Sequence, residues 1–200
     1  MKEYYYDKLL NIKTGGQHGN YDSPHYNRYE PTSYSALEEL FKHYTLQPTD
    51  RLVDFGCGKG RLNFYVHYFF HASVTGIEMD GKLYEDAEKN KQGYMKKTKN
   101  KADKIRFLNC LAEDYEADTR DNKFYFFNPF SQQVFRSVVN AIMLSMEQAY
   151  REIDIILYYP PEDYCYYLDN QTPFERKAEI AIPGFEYNPN ERFLIYRWRY

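Results

Sequence analysis

Five short apolar runs are spaced along the middle of the chain. Each run is rich in branched or aromatic residues and is bounded by polar or turn-forming ones, which is the pattern of strands buried in a sheet. Stretches with apolar residues at helical spacing separate the runs, and this alternation predicts a mostly parallel sheet covered by helices on both faces. The predicted strands are Arg51–Phe55, Ser73–Glu78, Ile105–Asn109, Lys123–Phe127 and Ile153–Tyr159.

The helices are predicted from the spacing of apolar residues and from their starting residues. The clearest helix covers Gln132–Tyr150, whose apolar residues fall on one side. Ahead of the first strand, Ser35 and Glu38 form the pattern of a capping box, which predicts that a helix starts there. The other predicted helices lie around Tyr4–Leu10, over Leu62–His71 and over residues 81–104.

Two further strands, Arg176–Ile182 and Arg192–Trp198, end the chain and are separated by turn-forming residues. This spacing predicts an antiparallel hairpin. The expected fold class is therefore α/β, a doubly wound and mostly parallel sheet of seven strands with a C-terminal antiparallel hairpin. The chain divides into an N-terminal arm with a covering helix at residues 1–45 and a ligand-binding domain at residues 46–200.

Composition narrows the class of protein. The formal net charge is −3 and the isoelectric point is about 6.0, which argues against a strongly basic nucleic-acid binder. A nucleic-acid partner stays open through the lysine-rich residues 96–104, but it is not favoured. No apolar run is long enough to span a bilayer and no signal peptide is visible, so we expect a cytoplasmic protein without a membrane partner. The cysteines and histidines are scattered, so no metal site is expected.

A glycine-rich turn follows the first predicted strand. Gly56, Gly58 and Gly60 lie between that strand and the helix that begins near Leu62. Glycines let the backbone approach a ligand closely, and such a turn presents free N–H groups at a helix N-terminus. Because ligands bind at the carboxyl ends of the strands in a doubly wound sheet, the turn predicts a nucleotide-like cofactor.

Two acidic residues bear on the class of cofactor. Asp54 lies two residues before Gly56, where a negative charge would repel the phosphates of a dinucleotide but attract a sulfonium and an ammonium group. The glycine spacing also departs from the G-x-G-x-x-G pattern of dinucleotide enzymes. Glu78 ends the second strand, at the distance from the turn where an acid accepts hydrogen bonds from ribose hydroxyls. A nicotinamide-dependent enzyme is therefore a disfavoured alternative.

The stretch VDFGCGKGR, followed by GIEMD, resembles the first two motifs of class I S-adenosylmethionine-dependent methyltransferases. Together with KTGG, YEPTSY, FNPF and IILYYP, it is similar to a bacterial family of small class I methyltransferases. The resemblance covers roughly residues 12–161 and implies a Rossmann-like sheet with the strand order 3-2-1-4-5-7-6. It also implies S-adenosylmethionine as the cofactor, S-adenosylhomocysteine as its product, and an unknown methyl acceptor.

The resemblance assigns cofactor contacts by position. Asp54 and the glycines would hold the methionine portion, Glu78 the ribose hydroxyls, and Met79 would pack on the adenine. Relatives carry an acid where Leu111 stands, to take the adenine amino group, and Glu113 or Asp114 would substitute for it here. The expected cofactor-binding residues are Thr32, Asp54, Gly56, Gly58, Gly60, Glu78, Met79, Ala112, Glu113 and Asn128.

Asn128, Pro129 and Phe130 follow the fourth strand and are the predicted catalytic residues. They resemble the (D/N)PP(Y/F) motif of amino-group methyltransferases with one proline fewer. In that motif the asparagine side chain and a proline-fixed carbonyl accept hydrogen bonds from an NH₂ group and orient it, while the aromatic ring stacks on a planar acceptor. The alternative for Asn128 is a strand-ending turn without a chemical role.

The sequence thus predicts a methyltransferase that acts on a nitrogen atom of a protein, an RNA or a small amine. A catalytically inactive module that binds the cofactor or a protein partner is the alternative. The glycines of the arm at residues 14–34 leave two readings open, a lid over the site or a flexible terminus. Lys59 and Arg61 would either meet a substrate anion or cap nearby carbonyl groups.

Overall fold

A computed structural model of the protein describes residues 2–16, 25, 27–98 and 104–199, and within them seven strands form one sheet. The strands lie in the order β3-β2-β1-β4-β5-β7-β6. β1 to β5 pair in parallel, whereas β7 runs antiparallel between β5 and β6. The predicted fold class and strand order are confirmed. The strands are β1 (Arg51–Phe55), β2 (Ser73–Glu78), β3 (Ile105–Asn109), β4 (Lys123–Phe127), β5 (Ile153–Tyr158), β6 (Glu175–Ala181) and β7 (Arg192–Trp198).

Helices cover both faces of the sheet. Side chains alternate along each strand, so Leu52 belongs to the apolar cluster on one face and Val53 to the cluster on the other. The first cluster contains residues of α1 to α4, and the second contains residues of α5 and α6. The helices are α1 (Lys2–Leu10), α2 (Tyr34–His43), α3 (Arg61–Phe70), α4 (Gly81–Thr98), α5 (Gln132–Gln148) and α6 (Glu162–Gln171).

Some predicted helix boundaries are wrong. α2 begins two residues earlier than the capping box indicated, because Ser33 rather than Ser35 is the N-cap and accepts a hydrogen bond from the Ala36 N–H at 3.2 Å. α5 ends at Gln148, and α4 ends at Thr98, with residues 99–103 outside the described part of the chain. A sequence pattern predicts the ends of a helix less well than its middle, because local capping contacts decide where the last turn stops.

The ends of two strands are also shifted. β5 stops at Tyr158 because Tyr159 has a φ of +52°, which a strand does not tolerate. β6 covers Glu175–Ala181, one residue earlier at each end than predicted.

α6 was not predicted at all, although its buried Tyr164, Tyr167 and Leu168 recur at helical spacing.

The N-terminal arm packs against the main sheet through buried contacts. Leu10 and Ile12 belong to the same apolar cluster as residues of β1 and α3. The Asp7 carboxylate accepts hydrogen bonds from the N–H and hydroxyl of Thr14, at 2.9 and 2.8 Å, and from the hydroxyl of Tyr34 at 2.7 Å. These bonds hold the arm beside the strand ends where a ligand is expected. The domain division at residue 45 stays a prediction.

Candidate active site

The glycine turn between β1 and α3 is tightly packed. Gly56, Gly58 and Gly60 have positive φ values of +77°, +54° and +82°, which residues with side chains rarely adopt. The Gly56 N–H donates to the Ile77 carbonyl at 2.9 Å, which ties the turn to β2. A Cβ atom on Gly56 would lie 2.8 Å from the Cβ of Pro129. The turn therefore brings β1, β2 and the predicted catalytic segment together.

Asp54 is a buried acid without a hydrogen-bonding partner among the described residues. Its side chain is on β1 and only 4% of the residue is exposed. Burial and, to a smaller extent, the negative charge of Glu78 together raise the pKa of Asp54 to about 8. A buried carboxylate is costly to ionise unless a cation or donor pairs with it. The site therefore fits a ligand that brings an ammonium group to Asp54.

Glu78 ends β2 and binds the glycine turn. Its two carboxylate oxygens accept hydrogen bonds from the Gly58 N–H at 2.8 Å and from the Asp80 N–H at 2.9 Å. Burial raises the pKa of Glu78, and these backbone donors oppose the rise. An ionised carboxylate has about four lone-pair positions, so Glu78 keeps acceptor capacity for hydroxyl groups of a ligand.

Two cavities lie at these strand ends. The larger, about 70 Å³, is lined by the predicted residues Gly56, Glu78, Met79, Ala112, Asn128, Pro129 and Phe130. The smaller, about 20 Å³, is lined by the predicted residues Thr32, Asp54 and Gly56. The structure thus brings most of the predicted site residues together. Gly58, Gly60 and Glu113 do not line either cavity.

The residues around the predicted adenine contact are arranged differently from the expectation. Leu111 is 39% exposed, and Glu113 and Asp114 are exposed on the short 3₁₀ turn that they share with Ala112. Cys110 and Asp80 line the larger cavity instead, and sequence reasoning missed both. Asp80 directly follows the GIEM stretch, which is the signal that could have pointed to it.

The Asn128-Pro129-Phe130 segment turns sharply after β4. Asn128 has a φ of +39°, a strained conformation for a residue with a side chain. Its side chain makes no hydrogen bond to a described residue, so its amide is available to a ligand. Phe130 is only 3% exposed and packs edge-on against Phe126, with ring centroids 6.0 Å apart. Its ring is part of the core and of the cavity wall.

Lys59 and Arg61 are bound to the N-terminal arm. The Arg61 guanidinium donates to the Thr14 hydroxyl at 2.8 Å and to the Thr32 carbonyl at 3.1 Å, and it pairs with Glu3. The Lys59 ammonium donates to the Gly15 carbonyl at 3.2 Å. Of the two readings left open by the sequence, the structure therefore shows the capping of carbonyl groups.

A glycine turn after β1, an acid at the end of β2 and the strand order of this sheet define a class I S-adenosylmethionine-dependent methyltransferase fold. The sequence profile of the family described as "Methyltransferase domain" matches residues 32–149 of the chain. The chain belongs to this methyltransferase-domain family, and S-adenosylmethionine is its cofactor.

Known proteins with similar sequence or structure agree. A probable S-adenosylmethionine-dependent methyltransferase of Saccharomyces cerevisiae, CRG1, is 34% identical over 103 residues, which is 51% of this chain and 33% of that protein. The chain thus spans about a third of the length of this curated relative. An RNA methyltransferase from Salinibacter ruber, solved with S-adenosylhomocysteine, shares the fold with a TM-score of 0.59 at 18% identity, covering 84% of this chain and 92% of that one. A putative RNA methyltransferase from Pyrococcus horikoshii gives a TM-score of 0.60 at 15% identity, covering 98% and 96%.

Among the described residues, none of the helices has the length and apolar character needed to cross a bilayer. The same residues contain no group of three or more His, Cys, Asp or Glu side chains arranged to hold a metal ion. The cytoplasmic location stays a prediction.

Proposed function

We propose that this protein transfers the methyl group of S-adenosylmethionine to a nitrogen atom of an acceptor. The observation that carries the proposal is Asp54, a buried carboxylate that faces a cavity without a donor from the described protein. The cofactor has an ammonium group that would supply the missing donor. When bound, it supplies an electrophilic methyl group on a sulfonium.

The residues of the site have distinct proposed roles. Asp54 binds the ammonium group, and Gly56, which lines both cavities, borders the methionine portion. Glu78 accepts hydrogen bonds from the ribose hydroxyls while it keeps the Gly58 N–H in place. Met79 and the backbone of Ala112 form the adenine side of the larger cavity. Methyl transfer then depends on alignment and exclusion of water.

The acceptor side is assigned to Asn128 and Pro129. The free amide oxygen of the Asn128 side chain can accept a hydrogen bond from an NH₂ group, which orients the nitrogen lone pair. Asn128 also lines the larger cavity together with Phe130. The Phe130 ring forms part of the cavity wall and restricts the direction from which an acceptor reaches Asn128. This arrangement supports nitrogen as the acceptor atom.

The charges around both cavities favour an amine over a polyphosphate acceptor. Apart from Asp54, which is mostly protonated at neutral pH, the lining residues include three acids and two arginines, Glu30, Glu78, Asp80, Arg28 and Arg61. Arg61 is already paired with Glu3. A negative wall attracts amines and repels nucleic-acid phosphates. We therefore favour a small amine or a basic protein side chain, although the similar structures from Salinibacter ruber and Pyrococcus horikoshii are described as RNA methyltransferases.

Calorimetry tests the cofactor part of the proposal. We expect S-adenosylmethionine and S-adenosylhomocysteine to bind and NAD not to bind. Glu162→Ala changes an exposed acid at the start of α6, away from both cavities. This control variant should bind the two sulfur compounds like the parent protein. Failure of both sulfur compounds to bind would contradict the proposal.

Turnover separates the enzyme from an inactive cofactor-binding module. Labelled methyl transfer into protein, RNA and metabolite fractions of a cell extract should mark one fraction. Asn128→Ala should bind S-adenosylhomocysteine almost as tightly as the parent protein and lose the labelling. Cofactor binding without labelling of any fraction would support the inactive module, and labelling by Asn128→Ala would assign Asn128 a structural role.

A further inference from the structure

Residues 27–32 line the two cavities of the site, and we call this segment the strap. We propose that Asn27 and Tyr29 of the strap impose an order of binding, in which the cofactor must displace the strap before the acceptor can reach Pro129. The proposal rests on the proposed function, because it uses the site residues assigned above.

Tyr29 lies directly on the glycine turn. A Cβ atom on Gly58 would be 1.9 Å from Cε2 of the Tyr29 ring, so the ring fills the space that the glycine leaves open. The Tyr29 hydroxyl donates to the Thr14 carbonyl at 2.8 Å, and the Lys59 ammonium lies 5.7 Å from the ring centroid. The surface by which a glycine turn approaches a ligand is thus covered by the protein's own side chain.

Asn27 occupies the acceptor side. Its backbone N–H donates to the Pro129 carbonyl at 2.9 Å, and its side-chain amide donates to the backbone carbonyl of Asn128 at 2.7 Å. Together with the Asn128 side chain, the Pro129 carbonyl is the group that the resemblance assigns to hydrogen bonding with the acceptor NH₂. While Asn27 holds it, an incoming nitrogen would have to compete with a hydrogen bond that is already made.

The two cavities show why the strap must move. Their volumes of about 70 and 20 Å³ are far below the roughly 300 Å³ at which ligand pockets begin. Glu78 lines the larger cavity and Asp54 the smaller, so a cofactor that uses both acids has to pass between them. Tyr29 and Glu30 line both cavities and belong to the strap, which therefore forms part of the partition.

Displacing Tyr29 also releases Asn27. Only Arg28 separates the two residues, so a movement of the Tyr29 ring away from Gly58 displaces the backbone next to Asn27. Binding of the cofactor would thus free the Pro129 carbonyl for the acceptor. A segment held by a few hydrogen bonds opens at small free-energy cost, as lids at active sites do.

The direct test is the hydrogen-exchange rate of the Asn27 backbone amide, measured by NMR with and without saturating S-adenosylhomocysteine. We expect the ligand to accelerate this exchange at least about tenfold, because the bond to Pro129 breaks on binding. Exchange that stays the same or slows in the complex would overturn the proposal. Calorimetry on the same sample keeps the two questions apart, since absence of binding contradicts the proposed function, whereas binding without faster exchange contradicts only the strap.

Association kinetics provide a second test. Tyr29→Ala and Asn27→Ala should raise the association rate constant of S-adenosylhomocysteine by at least about fivefold, because the closed strap delays entry. The matched controls are Tyr187→Ala, at a tyrosine that is 90% exposed, and Asn170→Ala, on the exposed side of α6. Equal rates in the strap variants and the controls, with circular dichroism showing that all are folded, would contradict the proposal.

Discussion

Asp54 and Asp154 are both buried aspartates on central parallel strands, yet their surroundings are opposite. Asp154, on β5, is fully buried and accepts hydrogen bonds from Tyr44 at 2.6 Å, Lys123 at 2.8 Å and Arg197 at 2.7 Å. Asp54, on β1, is 4% exposed and has no such partner among the described residues. The same side chain at the same depth is paired in one place and open to a cavity in the other.

The difference separates a structural acid from the acid that we propose binds the cofactor. Burial alone would raise the pKa of Asp154, but the Arg197 and Lys123 charges lower it below its usual range. The pKa of Asp54 is instead raised to about 8, by burial first and by Glu78 second. Asp154 therefore contributes to the stability of the empty protein, whereas Asp54 reduces it when ionised and recovers that free energy only when a cation binds.

The largest expected effect is on Asp154. Asp154→Asn leaves the buried Lys123 ammonium without its acid and takes from Arg197 one of two acidic partners, the other being Glu152, so the free energy of unfolding should fall by about 3–5 kcal/mol. Urea denaturation measures this. The affinity of the folded variant for S-adenosylhomocysteine should stay within about twofold of the parent protein. A strong loss of affinity in this variant would remove the distinction between the two acids.

The next effect is on binding at Asp54. Asp54→Asn keeps the shape of the side chain but loses the charge that pairs with the ligand ammonium, and Glu162→Gln is the surface control. We expect at least about a tenfold loss of affinity, or 1.4 kcal/mol, for S-adenosylhomocysteine by calorimetry. An unchanged affinity would show that Asp54 does not contact the ligand.

The pH dependence of stability should differ in sign between the two acids. The pKa of Asp54 is raised in the folded state. Its contribution to the free energy of unfolding is therefore fully present below about pH 3.9 and is lost as the pH rises through about 8. Asp54→Asn has no ionisable group at this position and does not suffer this loss. The free energy of unfolding of the variant, relative to that of the parent protein, should therefore increase by more than about 1.4 kcal/mol between pH 5 and 8.5. The contribution of Asp154 is present above its unfolded pKa and is lost on acidification. Denaturation curves between about pH 5 and 8.5 check the direction for Asp54, and curves taken below the unfolded aspartate pKa of about 3.9 check the direction for Asp154.

The smallest effect concerns a single donor to Asp154. Tyr44→Phe removes one hydrogen bond but leaves both cationic partners, so it should cost about 1 kcal/mol of stability. The loss is measured by urea denaturation, and Tyr187→Phe at an exposed position should have no effect. A cost as large as that of Asp154→Asn would mean that the cations do not pair as described.

The sequence predicted the sheet well because buried parallel strands have a strong apolar signal. β1, β2, β3, β4 and β7 have the predicted bounds. The order of the strands came from the resemblance, since apolar periodicity alone does not state which strands are neighbours. The α2 boundary was wrong because two serines stand close together, and only the backbone geometry shows that Ser33 makes the capping bond.

The site was predictable where its chemistry depends on local motifs. Asp54, Glu78 and Asn128 follow directly from strand ends, and all three line the cavities. The contacts of the strap were not predictable, because Asn27 and Asn128 are far apart in sequence and meet through tertiary packing. The partners of Asp154, Tyr44, Lys123 and Arg197, likewise lie far from it in sequence, so the contrast between Asp54 and Asp154 is visible only in the structure.

Proton release on ligand binding tests the central claim most directly. At pH 7 an Asp54 with a pKa of about 8 is mostly protonated, and pairing with the ligand ammonium should ionise it. Calorimetry of S-adenosylhomocysteine binding in buffers of different ionisation enthalpy should therefore show release of nearly one proton by the parent protein and almost none by Asp54→Asn. Binding of the ligand with no proton release by the parent protein would contradict the assignment of Asp54 as the acid that awaits the cofactor.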